Sequence, residues 1–267
     1  MDSPLKWLGG KSRLAARIIP LIPEHTHYGE PFAGAGWVFF RKPPSRRESL
    51  NDINGDLVTF YRVLQHHLEE FCRQFKWLLT SRQEFEDFGK QCEAGGLTDI
   101  QRAARFYYRQ RLAFGGKVSG QSFGVSLDHA PPINLVRIEE ELSAAHLRLA
   151  RVVIEHLDWR EYLARYDAPG TFFYLDPPYF GGERDYGAGI FARKDFREMA
   201  EALAMIKGRF LLSINDVPEI RETFKAFRIR ETSVKYSIND AQATDAAELL
   251  VMNYAPRPGL LGMCGAG

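Results

Sequence analysis

Residues Gly170–Phe180 read GTFFYLDPPYF. The apolar run predicts a β-strand, and Asp176 closes it with a carboxylate. Two prolines and a tyrosine follow at once, where an ordinary turn would use one proline with Gly, Asn or Asp. An acid, two rigid backbone units and a flat ring therefore stand side by side at the end of a strand. In open α/β sheets, ligands bind at the carboxyl ends of strands.

The neighbouring sequence predicts such a sheet. Further strands are expected at THYGEPF (26–32), ESLNDIN (48–54), RVVIEHL (151–157), RFLLSIN (209–215), FRIRETSVKYS (227–237) and AELLVMNY (247–254). Helical patterns occur at residues 12–20, after the glycine turn of GAGWVFFRK (34–42), at DFREMAEALAMI (195–206) and at VPEIRETFKAF (217–227). From Asp56 to about Leu79 the apolar residues Leu57, Phe60, Tyr61, Leu64, Leu68, Phe71 and Phe75 recur at helical spacing, and mostly helical polar sequence continues to Arg148. The last two strands, joined by a polar loop, read as an antiparallel pair. The expectation is an α/β, Rossmann-like fold with a mostly parallel sheet and an antiparallel C-terminal strand. Residues 1–58 and 149–267 would build it, interrupted by a helical insertion at 59–148.

Composition sets bounds. The 267 residues are 45% hydrophobic and 13% aromatic, enough for a sizeable core, while a net charge of +1 says nothing about a polyanionic partner. Cys72, Cys92 and Cys264 lie far apart, and no histidine stands at zinc-type spacing from them. Neither a disulfide framework nor a metal site is expected, and a reducing, cytoplasmic setting is. No apolar signal core and no run of about 18 apolar residues occurs, so no membrane span is expected. The stretch GLLGMCGAG (259–267) reads as a loosely packed tail.

In EPFAGAG (30–36), Gly34 and Gly36 make a strand–turn–helix junction at which backbone can approach a ligand closely. Asp52 ends the next strand, where an acid accepts hydrogen bonds from ribose hydroxyls. Phe39 stands where the dinucleotide fingerprint requires a small residue, so a nucleoside without pyrophosphate, such as S-adenosylmethionine, fits better than a dinucleotide. GGKS (9–12) is no phosphate loop, because Leu5 replaces a required glycine and no strand precedes it. Trp7 and Lys11 are a second pair of candidate cofactor contacts, an aromatic face and a cation for a carboxylate.

At the opening stretch, Asp176 accepts hydrogen bonds and can take a proton. Pro177 and Pro178 present carbonyls with no N–H donors beside them, and Tyr179 offers a face on which a planar ring stacks. The set suits an exocyclic amine on a flat heterocycle, with Asp176 accepting one N–H and the Pro177 carbonyl the other. Acceptors so aimed localise the nitrogen lone pair and stabilise the positive charge that grows during alkylation. A sulfonium methyl held in line about 3 Å away supplies the rest by proximity. A base inside a duplex would first have to be flipped out.

KWLGGK (6–11), EPFAGAG, NDIN (51–54) and DPPY (176–179) follow one another over nearly the whole chain, from Leu5 to about Tyr254. In this the sequence resembles the Dam-type class of DNA adenine methyltransferases. The resemblance implies methyl transfer from S-adenosylmethionine to the 6-amino group of a flipped adenine, with release of S-adenosylhomocysteine and no metal. It carries over to Trp7 and Lys11 as cofactor contacts, to Asp52 and to the acid Asp176, which with Pro177 and Tyr179 makes the expected catalytic set and is counted among the cofactor contacts too. Glu30, Phe32, Gly34, Gly36 and Asp158 are set beside these as cofactor contacts. DNA is the expected partner of a monomeric protein, with a cognate restriction endonuclease as a further candidate.

Between Asp99 and Asp128 there is no acid, while Arg102, Arg105, Arg109, Arg111 and Lys117 fall there, the first three on one helix face. Phe106, Tyr107, Tyr108 and Phe114 interleave with them, and FGGKVSGQSFG (114–124) follows. A basic face beside a glycine-rich loop suits phosphate contact with groove reading. Here the sequence departs from the resemblance: it lacks the asparagine-rich NGxxRxN and FNxPxG pattern, so adenine methylation in a context different from GATC, or looser than it, is expected. Three other readings remain. They are an amino-methyltransferase of RNA or protein side chains, an inactive DNA-binding relative, and a nicotinamide-dependent oxidoreductase. Asp176 with the basic insertion, the intact acceptor positions and Phe39 speak against them in turn.

Overall fold

The computed structural model describes every residue except 8, 10, 125–129, 184–186, 188, 238–242 and 257–267. Cys264 and the expected loose tail at 259–267 lie outside the described residues. Seven strands form one sheet: β1 (His27–Glu30), β2 (Arg47–Asn51), β3 (Val153–Glu155), β4 (Thr171–Leu175), β5 (Arg209–Asn215), β6 (Arg228–Ser237) and β7 (Ala243–Met252). Their order is β3-β2-β1-β4-β5-β7-β6. The first five run parallel, and β7 lies antiparallel between β5 and β6.

Ten helices accompany the sheet among the described residues: α1 (Ala15–Ile18), α2 (Trp37–Arg41), α3 (Gly55–His66), α4 (Leu68–Arg73), α5 (Arg82–Ala94), α6 (Asp99–Leu112), α7 (Ile138–Leu149), α8 (Trp159–Tyr166), α9 (Arg193–Met205) and α10 (Pro218–Thr223). None is long and apolar enough to cross a membrane. Side chains alternate across β4: Phe172 and Tyr174 join the core beneath α3 and α6, while Phe173 and Leu175 join the core beneath α8, α9 and α10. All five β4 residues are buried, which is why the strand reads as an unbroken apolar run rather than an alternating one.

The expected strands, the antiparallel pair and the helical insertion are all present. The long helix expected from Asp56 breaks at His67, whose backbone leaves the helical region at φ −135°, ψ 39°, giving α3 and α4. Helix α8 had no place in the sequence reading; it is short, and Asp158 caps it by accepting from Arg160 N–H at 2.8 Å. The boundary set at residue 58 falls inside α3, whose N-cap is Asn54 of the NDIN stretch. Helices α3, α4, α5, α6 and α7 share one continuous apolar cluster with β1, β2 and β4. A buried ionic cluster bolts α7 to the sheet: Arg148 and Lys42 both hold Glu48 of β2, and the Arg148 guanidinium lies 3.7 Å from the Phe39 ring centroid. Burial alone would push the Glu48 carboxyl up, but Arg148 and Lys42 together hold it below its ordinary range.

The chain winds from β1 outward to β2 and β3, and from β4 the other way to β5. Between the carboxyl ends of β1 and β4 the connections diverge, and a crevice opens.

Candidate functional site

A cleft of about 810 Å³, counting its open mouth, occupies that crevice. Trp7, Phe32, Gly34, Asp52, Asp158 and Asp176, all named from the sequence, line it. They come from five segments distant in the chain, which the ends of β1, β2, β3 and β4 bring together with the N-terminal stretch.

The floor begins after β1. Gly34 has φ +48° and Gly36 φ +64°, left-handed conformations that glycine adopts without a side-chain clash. A Cβ on Gly34 would stand 3.0 Å from Nε1 of Trp7, so the indole lies directly on this turn. Asp52 fixes the turn to the end of β2: its Oδ2 accepts from Gly34 N–H and its Oδ1 from Asn54 N–H, each at 2.9 Å. Burial pushes the Asp52 carboxyl up, against the downward pull of the Asn54 and Gly34 N–H groups. Gly36 is the N-cap of α2 and faces Phe40 and Tyr61 rather than the cleft.

Asn51 was not picked out from the sequence. Buried beside Asp52, it donates to the carbonyls of Pro31 at 2.9 Å and Leu157 at 3.0 Å, and accepts from Leu157 N–H at 2.8 Å. One carboxamide thus laces together the ends of β1, β2 and β3. Trp159, Ile190 and Phe191 add an apolar wall that the sequence reading also missed, with Phe32 meeting the Phe191 ring edge-on at 5.9 Å.

Asp176 stands at the other side of the cleft with 22% of its side chain exposed. Lys11 Nζ lies 2.9 Å from its Oδ1, and the Ser213 hydroxyl donates to the same oxygen at 2.9 Å. Among the described residues nothing pairs with its Oδ2, and no group donates to the carbonyl of Pro177. Burial pushes the Asp176 carboxyl up; Lys11 opposes this, and the negative Glu248 adds to it. Pro177 and Pro178 are both buried, and of the two only Pro178 lines the cleft.

Besides Gly36, two further expected cofactor contacts lie away from the cleft wall. Lys11 is 3% exposed and meets Asp176, the Tyr179 hydroxyl at 2.7 Å and the Gly9 carbonyl at 3.3 Å. Glu30 is 1% exposed and absent from the cleft wall; Tyr28 O–H and Phe39 N–H donate to its Oε1 at 2.6 and 2.9 Å. Tyr179 donates to Glu248 of β7 at 2.6 Å, and Lys11 Nζ sits 4.4 Å from its ring centroid. Glu248 is fully buried. The signal for it in the sequence was a lone acid inside the apolar strand AELLVM (247–252). The next residue, Phe180, is clamped by Asn215, which accepts from its N–H at 2.9 Å and donates to its carbonyl at 3.0 Å.

The basic residues of the insertion divide. Arg102 is exposed and pairs with Asp56, Arg105 donates to Gln91 and lies over the Phe88 ring, and Lys117 is exposed. Arg109 instead packs over the Phe85 ring and against Gly89. Arg111 turns inward and holds the carbonyls of Pro4 and Pro132. The open basic face is therefore narrower than the helical spacing implied.

Residues 7–238 match the family described as D12 class N6 adenine-specific DNA methyltransferase. The chain is 27% identical over 274 residues to the Type II methyltransferase M1.LlaDCHI of Lactococcus lactis subsp. cremoris, with 93% of this chain and 94% of that protein covered. It is 26% identical over 264 residues to the DNA adenine methylase of Vibrio cholerae serotype O1, with 93% and 94% covered.

Proposed function

The chain belongs to the D12 class of N6 adenine-specific DNA methyltransferases, and from that premise we propose that the cleft between β1 and β4 brings S-adenosylmethionine and a flipped adenine together. Adenine methylation in DNA is the activity of the family. The observation that carries the site assignment is Asp176: it faces the cleft with Oδ1 fixed by Lys11 and Ser213 and with Oδ2 unpaired among the described residues.

The residues present fit the cofactor. A glycine turn with left-handed φ, an indole lying on it and a carboxylate bound to its N–H make a floor for a nucleoside. Trp7, Phe32, Asp52 and Asp158 would hold it. When bound, S-adenosylmethionine supplies an electrophilic methyl group.

Asp176 works as the acceptor for one hydrogen of the adenine amine, and the Pro177 carbonyl as acceptor for the other. The ionised carboxylate stabilises the positive charge developing on nitrogen, in a site where few waters screen it. With its affinity for protons raised by burial, the same carboxylate then takes the proton the amine must lose. Lys11 and Ser213 fix its orientation, and the Asn215 clamp on Phe180 fixes the chain that follows. Apolar Phe32, Trp159 and Phe191 exclude water from the wall.

Residues 59–148 carry the DNA-recognition part in this reading. Arg102, Arg105 and Lys117 meet phosphates, the 114–124 loop meets bases, and Arg109 and Arg111 support them from within. The enzyme acts as a cytoplasmic monomer on a target different from GATC or looser than it. Tritiated S-adenosylmethionine offered with DNA, RNA and protein side by side tests the substrate. Label recovered as N6-methyladenine in DNA is expected, and label in RNA or protein alone would overturn the reading. Long-read modification mapping that found GATC alone would overturn the target.

A further inference from the structure

Gln110 of α6 is completely buried. Its carboxamide nitrogen donates to the carbonyl of Lys6 at 2.8 Å and to the carbonyl of Gly116 at 2.8 Å. Its oxygen accepts from the Gln121 side chain at 2.9 Å. Three of the four hydrogen-bonding positions of the group are thus filled. The partners belong to two segments that face the cleft. Lys6 precedes Trp7, whose indole lies on the Gly34 turn. Gly116 and Gln121 bracket the loop whose Val118 reaches the cleft wall.

The same face of α6 repeats this contact one turn earlier, where Phe106 meets Trp7 with ring centroids 6.4 Å apart. A buried glutamine that only satisfied loop carbonyls could take both from one segment. Gln110 divides its two donor hydrogens between the segment that would cover the cofactor and the loop that would meet DNA. Neither segment belongs to a strand of the sheet or to a helix of more than one turn. Their relative position is set by such side-chain bonds rather than by a backbone ladder.

We infer that Gln110 is a positioning residue that couples the two ligands of the reaction: a ligand ordering the Trp7 segment also orders the 115–121 loop, and the converse. This rests on the reading that the cleft takes S-adenosylmethionine and the loop meets DNA. Such coupling is reciprocal in free energy, so either ligand reports it. It needs no large movement, because ordering one segment lowers the entropic cost of ordering the other.

The test compares wild type with Gln110→Met, which keeps the volume and removes both donors. S-adenosylhomocysteine alone should slow amide hydrogen exchange across 115–121 in wild type and leave it nearly unchanged in the variant. The affinity for a DNA duplex, read by fluorescence anisotropy, should rise roughly 5–150-fold with saturating S-adenosylhomocysteine in wild type. In the variant that ratio should fall to within about twofold of one. Gln121→Ala, on the surface loop, removes one of the three bonds and should lower the ratio partway; it serves if Gln110→Met does not fold. Wild-type binding of both ligands with no effect on loop exchange, or with the same ratio in the variants, overturns the coupling alone. Wild type that binds neither ligand overturns the proposed function and the coupling with it.

Discussion

Lys11 Nζ lies 2.9 Å from Asp176 Oδ1, joining the N-terminal stretch to the end of β4. Lys11 also reaches the Tyr179 hydroxyl, which donates to Glu248. The cation thus orders the acid and the ring of the DPPY stretch at once. Its position allows Asp176 to remain an anion in a crowded site, because an opposite charge nearby offsets desolvation.

Asp176→Asn keeps the shape of the acceptor and removes its charge. Single-turnover methyl transfer should fall by at least about 100-fold, with the affinity for S-adenosylhomocysteine changed only a few-fold. The proposed role requires the ionised form, and burial raises the pKa of the group. The acid limb of the rate profile should therefore lie above the ordinary carboxylate range. A variant of undiminished rate would remove Asp176 from the chemistry.

Glu248→Gln should displace that limb. The negative charge of Glu248 helps to raise the pKa of Asp176, while Lys11 and Ser213 lower it. Removing the charge should move the acid limb to lower pH. The rate on the plateau should also fall, about tenfold, as Tyr179 and Lys11 lose a charged partner. An unmoved limb would show that Glu248 is not sensed at the site.

Arg102→Ala combined with Lys117→Ala should weaken binding to all DNA sequences alike. The slope of log affinity against log salt should shrink by about one for each phosphate that the variant can no longer neutralise. Cofactor affinity, read by calorimetry, should stay near the wild-type value. A slope equal to that of wild type would place the phosphates elsewhere.

Glu30 gives a stability prediction. Burial pushes its carboxyl up to about 8 from the ordinary 4.5, despite the Tyr28 and Phe39 donors. Between those two values the folded protein holds a proton that the unfolded chain has released, so stability falls as pH rises through the window. In Glu30→Gln the amide stands in for the protonated acid and has no proton to lose. The decline of melting temperature from pH 5 to pH 8 should be shallower in the variant by at least about 2 °C. Parallel curves would show that Glu30 is ionised in the folded state.

The sheet was legible because its strands are apolar runs bounded by polar turns, and the cleft because Gly34, Asp52 and Asp176 close three of those runs. The partners of Lys11 were not legible. Its neighbours in space are Asp176, Tyr179 and Glu248, more than 160 positions away, and a motif shows only which residues stand near each other in sequence. Asn51 and Gln110 escaped notice for a different reason: their partners are mostly backbone carbonyls, which carry no residue identity. Helical spacing puts Arg102, Arg105 and Arg109 on one face of α6. Periodicity could not show that Phe85 packs on Arg109, or that two prolines claim Arg111.

The apolar cluster that runs unbroken from the sheet into α3, α6 and α7, with Arg148 riveted to Glu48, sets a limit on engineering. A graft that exchanged the whole of 59–148 for that of a relative would tear half of a shared interior from its complement. A swap confined to the tip between Ala113 and Phe123, where a β-bridge marks both cut points, spares that apolar cluster, provided that the new tip still offers Gln110 the carbonyl at 116 and the side-chain donor at 121. On the proposed reading that the 114–124 loop meets bases, altered target choice is best sought by transplanting residues 114–122 rather than the whole of 59–148.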